Sequence, residues 1–383
     1  MKKSLIALAF GTLGLGIAEF VMMGILPDVA RDLGISIATA GHLISAYALG
    51  VCIGAPMLIL ARRYQLKYIL MFLVGVMMLG NICAALSPNY WVMLVARFIS
   101  GLPHGAYFGV ASIVAEKLAD KGRGSEAVSI MIAGMTIANL FGVPLGTALS
   151  ASISWRLTFL LVGCWGVIIL YYMWRWVPRV ENLPDTGLRG QFRFLKSPAP
   201  WLILGATLLG NGGTFAWYSY VTPLLTNIAG LPARMITFLM VLAGLGMVVG
   251  NLAGGRLSDR FSPGRVAAFA QGMICVALLF IFFFAHISWL AVGLMCLCTA
   301  GLFAVSSPQQ VLLIRYSKGG EMLGAASVQV AFNLGNAIGA YVGGLPLQVG
   351  MSYSYPALVG APFAFVGCLL LVTFFRKYER RTI

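Results

Sequence analysis

The sequence predicts an all-α membrane protein with twelve transmembrane helices in two six-helix repeats. Three observations carry that prediction. First, 60% of the 383 residues are hydrophobic and only 10% are charged, against about 25% charged in an average soluble domain. A chain this poor in polar residues cannot cover a water-facing surface, which excludes a cytosolic enzyme and a disordered chain. Second, twelve apolar segments follow one another with short loops: 4–26, 38–61, 68–87, 91–116, 126–149, 156–177, 201–226, 235–257, 265–285, 289–314, 322–345 and 354–375. Each is close to the roughly 20 residues that one bilayer crossing requires. Third, the halves echo each other. Gly16 and Pro27 match Gly212 and Pro223 at an offset of 196, and Asn139, Gly142 and Gly146 match Asn336, Gly339 and Gly343 at 197. Shared offsets of this kind mark two six-span repeats, the architecture of a rocking transporter.

Taken in order, segment 1 opens on Lys2-Lys3 and an apolar run that imitates a secretory signal. The run continues through Glu19 to Pro27, so it reads as an uncleaved first span. Ionisable groups inside a bilayer are costly and are functional candidates by default. Glu19 and Arg97 are the formal charges deep in spans. With segment 1 centred at Leu15, Glu19 lies about 6 Å toward the outside at ~1.5 Å per residue. Segment 4 runs the other way about Pro103, and Arg97 lies about 9 Å out on the same side. The two share a depth band and are placed to pair across a cavity. Arg97, Gly101, His104 and Phe108 are spaced 4, 3 and 4 and share one helix face. His104 titrates in the physiological range. It relays protons, bonds a substrate hydroxyl, or is a neutral packed histidine. Glu19, Arg97 and His104 are the proton-coupling candidates, with Tyr47 of segment 2 as a lining residue.

Segment 5 reads GMTIANLFGVPLGT. Gly142 and Gly146 thin the helix and Pro144 interrupts its hydrogen bonding, which makes this a hinge candidate, with Asn139 on the Gly142 face. Segment 6 is followed by the longest polar stretch, which holds Arg179, Glu181, Asp185, Arg189, Arg193 and Lys196. The domain reading is therefore 1–177, a cytoplasmic linker 178–200, and 201–383. Segment 7 places Asn211, Phe215, Tyr218 and Thr222 on one face with Trp217 beside them, a mixed stripe suited to a small polar or amphipathic ligand. The loop after segment 8, GGRLSDRFSPGR, sets Asp259 among Arg260 and Arg265 as a charge latch or as simple anchoring. Segment 10 contributes Gln310 beside Pro308, and segment 11 contributes Asn333. These amides either line a cavity or bond between helices.

Net charge is +15, but its distribution points to topology rather than nucleic acid. Of the 26 Lys and Arg, 22 fall in loops on the N-terminal side of the membrane, from Lys2 to Arg380 and Arg381. Arg31, Arg156 and Arg234 lie on the other side, and Arg97 is inside a span. By the positive-inside rule both termini are cytoplasmic. The seven cysteines sit within apolar stretches and suggest neither disulfides nor a metal site. No phosphate-binding loop is present, so energy comes from a gradient, and no cofactor or enzyme motif appears.

These residues resemble the major facilitator superfamily over the whole chain. GGRLSDRFSPGR is similar to the family's loop signature. Its first-half copy, LARRYQLK, departs from it, with Arg62 in place of the acid. Arg97-Phe98-Ile99-Ser100-Gly101 resembles the span 4 motif, whose arginine is implicated in proton coupling. GVPLGT resembles the span 5 antiporter motif of exporters. GIAEFVMMGILP, PHGAYFG, Trp155-Arg156 with Phe159, and FNLGNAIGA resemble the drug:proton antiporter group and its AraJ-type sugar-efflux branch. The resemblance implies that the first and fourth helices of each half line the pathway. It also implies a monomeric exporter of a sugar, nucleoside or drug-like molecule against inward protons, in the lipid of a bacterial inner membrane. An importer or uniporter of the same fold stays open as an alternative, and a non-transporting sensor is a further one.

Overall fold

The computed structural model describes residues 2–35, 37–181 and 187–379. Asp185, Arg380 and Arg381 lie outside the described residues. Twelve long helices account for nearly all of the rest. They are α1 (Lys2–Asp32), α2 (Ile37–Met57), α3 (Leu66–Ala85), α4 (Tyr90–Lys117), α5 (Gly124–Ser152), α6 (Trp155–Trp176), α7 (Pro198–Tyr218), α8 (Ile236–Arg260), α9 (Pro263–Phe284), α10 (Ser288–Tyr316), α11 (Glu321–Gln348) and α12 (Tyr355–Phe374). Their starts are chemically marked. The side chains of Asn89, Ser154 and Ser262 accept from backbone N–H groups of α4, α6 and α9, satisfying donors that a helix start leaves open. Proline opens α7, α9 and α12, where its missing N–H costs nothing.

Ten of these helices are long and apolar enough to cross a membrane. The two that fall short are α7 and α11. Asn211 with a run of glycines in one, and Gln329, Asn333 and Asn336 in the other, lower their hydropathy. They are also helices on which the sequence placed lining candidates, Asn211, Phe215 and Tyr218 on one and Asn333 on the other. Segment 7 is not one continuous span. The helix stops at Tyr218, and a short turn from Val221 leads into a wider-wound turn, Leu224–Ile228. Similarly, α10 breaks at Val305, three residues before Pro308, whose ring removes a donor from the ladder.

Contacts divide the chain into two compact units, Met1–Phe194 with Ser317–Val330, and Leu195–Tyr316 with Ala331–Ile383. In the first, α2 packs on α4 through glycine. A Cβ on Gly50 would strike the Phe98 carbonyl, and one on Gly54 the Leu102 carbonyl. In the second, α8 packs on α10 the same way, Gly246 against the Cys296 carbonyl and Gly250 against that of Ala300. Gly50 and Gly246, like Gly54 and Gly250, are 196 residues apart, the offset already read from Gly16 and Pro27. Many large apolar side chains point outward, Phe72, Trp91, Phe269 and Trp289 among them, each more than 70% exposed. In water such a surface would be an aggregation liability; in lipid it costs nothing.

Candidate functional site

The first unit brings Glu19, Tyr47, Arg97 and His104 together at one place. Gly101 of α4 lies so close to α2 that a Cβ there would meet the Tyr47 carbonyl. That approach brings the Tyr47 ring level with Arg97 and His104 on the next turns of α4. Glu19 projects from α1 into the same cluster. All four are buried, with Arg97 and His104 fully enclosed and Glu19 9% exposed.

The contacts are specific. His104 Nδ1 is 2.9 Å from the Tyr47 hydroxyl, and its Nε2 is 3.7 Å from Glu19 Oε2. The Tyr47 hydroxyl also lies 3.4 Å from the Leu15 carbonyl, a second acceptor within reach of its hydrogen. Phe108 stacks on the imidazole at 5.0 Å with a 12° interplanar angle. Arg97 donates through Nη1 to the Ala18 carbonyl at 2.7 Å and through Nε to the Leu43 carbonyl at 3.4 Å. Its guanidinium sits 4.5 Å above the Tyr47 ring and 5.5 Å from that of Phe159. Thus Arg97, His104 and Phe108 stand on one face of α4, with Tyr47 against both Arg97 and His104. The expected Arg97–Glu19 pairing takes another form. Arg97 bonds the backbone of α1 and α2, whereas the side chain facing the carboxylate is His104. Glu19 Oε2, His104 Nε2 and Arg97 Nη2 are buried polar atoms that make no hydrogen bond.

The hinge candidates line the α1–α5 contact. A Cβ on Gly142 would come within 2.5 Å of Ile17 Cγ1, and one on Gly146 within 2.5 Å of Val21 Cγ2. Just before Pro144 the backbone of α5 opens into a π-turn, Ala138–Gly142. Proline removes one ladder donor and the wider turn absorbs the loss. Asn139, in that turn, is half-buried and donates to the Met135 carbonyl at 3.1 Å.

The second unit holds the remaining lining candidates. Asn211 is buried and donates to the Thr207 carbonyl at 2.8 Å. Phe215 meets Tyr218 and Phe332, each at 5.9 Å between ring centroids. Trp217 is placed differently. It is buried in the apolar core with Val221, Leu224 and Leu225, so it packs rather than lines. Gln310 and Asn333 are buried on α10 and α11. At the α8–α9 junction, Arg260 in the last turn of α8 and Arg265 in the first turn of α9 lie 5.5 and 5.8 Å from the Phe261 ring. Glu379 engages the start of α9, accepting from Gly264 N at 2.9 Å and Ser262 Oγ at 3.1 Å.

Sequence reasoning missed Glu379, because its partner lies 115 residues away. It also missed a polar knot at the C-terminal end of α1. Arg156 donates to Asp32 at 2.8 Å and to the carbonyls of Ala85 and Ser87. The Trp155 indole donates to Asp32 at 3.1 Å, and Ser150 donates to Asp28 at 2.7 Å. The Trp155-Arg156 pair was visible, but the four-residue spacing of Asp28 and Asp32 on one face of α1 was the unread signal.

A family model of the major facilitator superfamily matches residues 8–328. The chain belongs to the major facilitator superfamily. It is 49% identical to AraJ of Escherichia coli (strain K12), over 100% of this chain and 97% of AraJ. It is 26% identical, over 91% of this chain and 88% of the relative, to a Helicobacter pylori (strain ATCC 700392 / 26695) protein named "Probable sugar efflux transporter". A crystal structure of the major facilitator transporter FucP in an outward conformation superposes with a TM-score of 0.78 at 16% identity, covering 97% of this chain and 98% of FucP. The superfamily fold has twelve membrane-spanning helices, so α7 and α11 cross with the other ten. The chain is a membrane-spanning transporter of small molecules.

Proposed function

We propose that this transporter exports a small neutral or amphipathic organic molecule, such as a sugar, nucleoside or drug-like compound, in exchange for inward-moving protons by alternating access. The observation that carries the reading is Glu19, an acidic side chain buried at membrane depth, facing His104 and without a hydrogen bond on Oε2. A carboxyl group there is reached by a proton at the cost of a charge, and its state is felt by three helices. The GVPLGT stretch with its π-turn supports the export direction, and the named efflux relative supports a sugar-like substrate. Lining residues in this reading are Asn139, Asn211, Phe215, Tyr218, Gln310 and Asn333, whereas Tyr47, whose hydroxyl turns into the Glu19 and His104 cluster, is not counted among them. The protein resides in a bacterial inner membrane with both termini cytoplasmic.

The test begins with a ligand. A thermal-shift screen of the purified protein over sugars, nucleosides and hydrophobic drugs finds it, since a bound ligand raises apparent stability. Everted vesicles with an acidic lumen then measure accumulation of that ligand. Proton-driven accumulation is expected in wild type. Glu19→Gln, which mimics a permanently protonated carboxyl, is expected to abolish it while keeping ligand binding. Accumulation by Glu19→Gln at the wild-type rate overturns the assignment of Glu19. Accumulation in right-side-out vesicles instead makes the protein an importer.

A further inference from the structure

The cluster of Glu19, His104, Tyr47 and the Leu15 carbonyl forms a continuous polar chain across α1, α4 and α2. His104 has one nitrogen toward a carboxyl group and the other toward a hydroxyl. The Tyr47 hydroxyl in turn has two places for its single hydrogen, His104 Nδ1 at 2.9 Å and the Leu15 carbonyl at 3.4 Å. A neutral imidazole carries one N–H, and a hydroxyl both donates and accepts. Two arrangements therefore satisfy every link. In one, Tyr47 donates to Nδ1, and the Nε2–H of His104 points at an ionised Glu19. In the other, a protonated Glu19 donates to Nε2, the Nδ1–H donates to the Tyr47 oxygen, and Tyr47 turns its hydrogen to the Leu15 carbonyl.

We infer that Tyr47 is a positioning residue that makes His104 a relay, so that proton uptake at Glu19 reverses the hydrogen bonds of this chain and moves the Tyr47 donor from α4 to α1. The inference rests on the reading of Glu19 as the proton carrier. The protons balance as follows. The entering proton bonds to His104 Nδ1 as the Nε2–H bond breaks and its proton bonds to a Glu19 oxygen. The imidazole begins and ends neutral, the carboxylate becomes a carboxylic acid, and Tyr47 keeps its hydrogen. One proton is gained and none is lost. The 3.7 Å gap between Nε2 and Oε2 must close by less than an ångström to come within the about 2.6–3.2 Å at which such transfers occur.

The surroundings favour this over charging the imidazole. The charged and titratable groups around it are Glu19 on α1, Tyr47 on α2 and Arg97 on α4, while α6 presents Phe159. The α5 residues against this stretch of α1 include Met135, Ala138, Gly142 and Gly146, none of them titratable. Arg97 already supplies a fixed positive charge, and the imidazole is stacked on Phe108 and fully enclosed. An imidazolium would be a second buried cation beside the first. The Leu15 carbonyl lies four residues before Glu19 on the same helix, so it is the ladder acceptor of the Glu19 N–H. Protonation is thereby reported to the backbone of α1 at the turn that carries the acid.

The experiment reads the tautomer directly. Full-length protein labelled with 15N-histidine is placed in lipid nanodiscs, and the His104 signal is assigned by its loss in His104→Gln. Wild type is expected to show Nε2–H at high pH and Nδ1–H at low pH. A single tautomer across the range in which driven transport titrates overturns the inference, as does an imidazolium at low pH. Tyr47→Phe keeps the ring beneath Arg97 and removes only the hydroxyl. It is expected to lower proton-driven accumulation by about tenfold, the size of leaving a buried partner unsatisfied, and to shift its pH profile. Substrate counterflow without a gradient is expected to stay within about twofold, since the lesion is in coupling. An unshifted pH profile in Tyr47→Phe overturns the role of Tyr47. Loss of counterflow together with driven transport makes Tyr47 a structural or substrate residue and overturns it too. The reading of Glu19 fails on different evidence, namely driven transport that survives Glu19→Gln.

Discussion

Arg97 holds a buried charge without a carboxylate in direct contact. Its hydrogen bonds go to the Ala18 and Leu43 carbonyls on two other helices, and two aromatic faces cover the guanidinium. A planar fork with several fixed donors suits this geometry, and an ammonium on a flexible stem does not. The residue therefore has two separable roles, joining α1 and α2 to α4 and setting a positive field beside Glu19. Arg97→Lys keeps the field and loses at least one bond. Hydrogen bonds from a charged donor are worth about 1.5–3 kcal/mol each, so a clearly lower melting temperature is expected, with proton-coupled transport retained in part. Arg97→Gln keeps a short donor and removes the field, so it is expected to lose coupling more completely. Melting curves and driven transport on both variants check this. A Lys variant that is fully uncoupled while Gln transports would reverse the assignment. The charge itself was legible in the sequence, because an arginine in an apolar run has few explanations. Its partners were not legible, because backbone carbonyls carry no sequence signature and depth alone put Arg97 opposite Glu19.

At the scale of the helix, the repeats look more alike in sequence than they are in contact. Gly142 and Gly339 stand at the same place in NxxGxxxG, 197 residues apart. A Cβ on Gly142 meets the Ile17 side chain, whose far atoms can rotate away. A Cβ on Gly339 meets the Gly212 carbonyl, which is backbone and cannot. Gly134, earlier in α5, is like Gly339, for a Cβ there meets the Ala9 carbonyl. Overpacking typically costs about 1–3 kcal/mol, and the cost rises when the obstacle cannot yield. Gly142→Ala is accordingly expected to express and melt near wild type, whereas Gly134→Ala and Gly339→Ala lose several degrees or fail to express. Gly142→Leu exceeds what Ile17 can release, so it is expected to fold and bind ligand with little turnover. Melting temperature and transport measured on one preparation separate the outcomes, and equal damage from Gly142→Ala and Gly339→Ala would refute the ranking. The glycine pattern showed from sequence that helices approach closely here. Whether each glycine meets a side chain or a carbonyl depends on the neighbouring helix, which no local spacing encodes. Trp217 teaches the same lesson, since its neighbours on α7 made it look like part of a ligand stripe while its face turns into the core.

For the whole molecule, the charge distribution makes a claim about which side of the membrane each loop occupies. Lys and Arg within short loops orient a membrane protein, and acidic residues contribute little. The 22 basic residues on one side against three on the other put the loop before α4 outside and the stretch after α6 inside. Three helices, α4, α5 and α6, lie between those points, and an odd number of crossings is what that assignment requires. Pro88 and Arg189 are exposed, the positive-inside reading assigns them to opposite sides, and neither belongs to the buried cluster. After replacement of the native cysteines, Pro88→Cys is expected to react in intact cells with a charged maleimide that does not cross the inner membrane. Arg189→Cys is expected to react only once that membrane is opened. The reverse pattern would place both termini outside and contradict the positive-inside reading. Labelling of both in intact cells would mean that one of α4, α5 and α6 does not cross. That second result would reach further than topology, because Arg97 and His104 ride on α4 and owe their depth in the bilayer, and so their cost and their use, to its crossing.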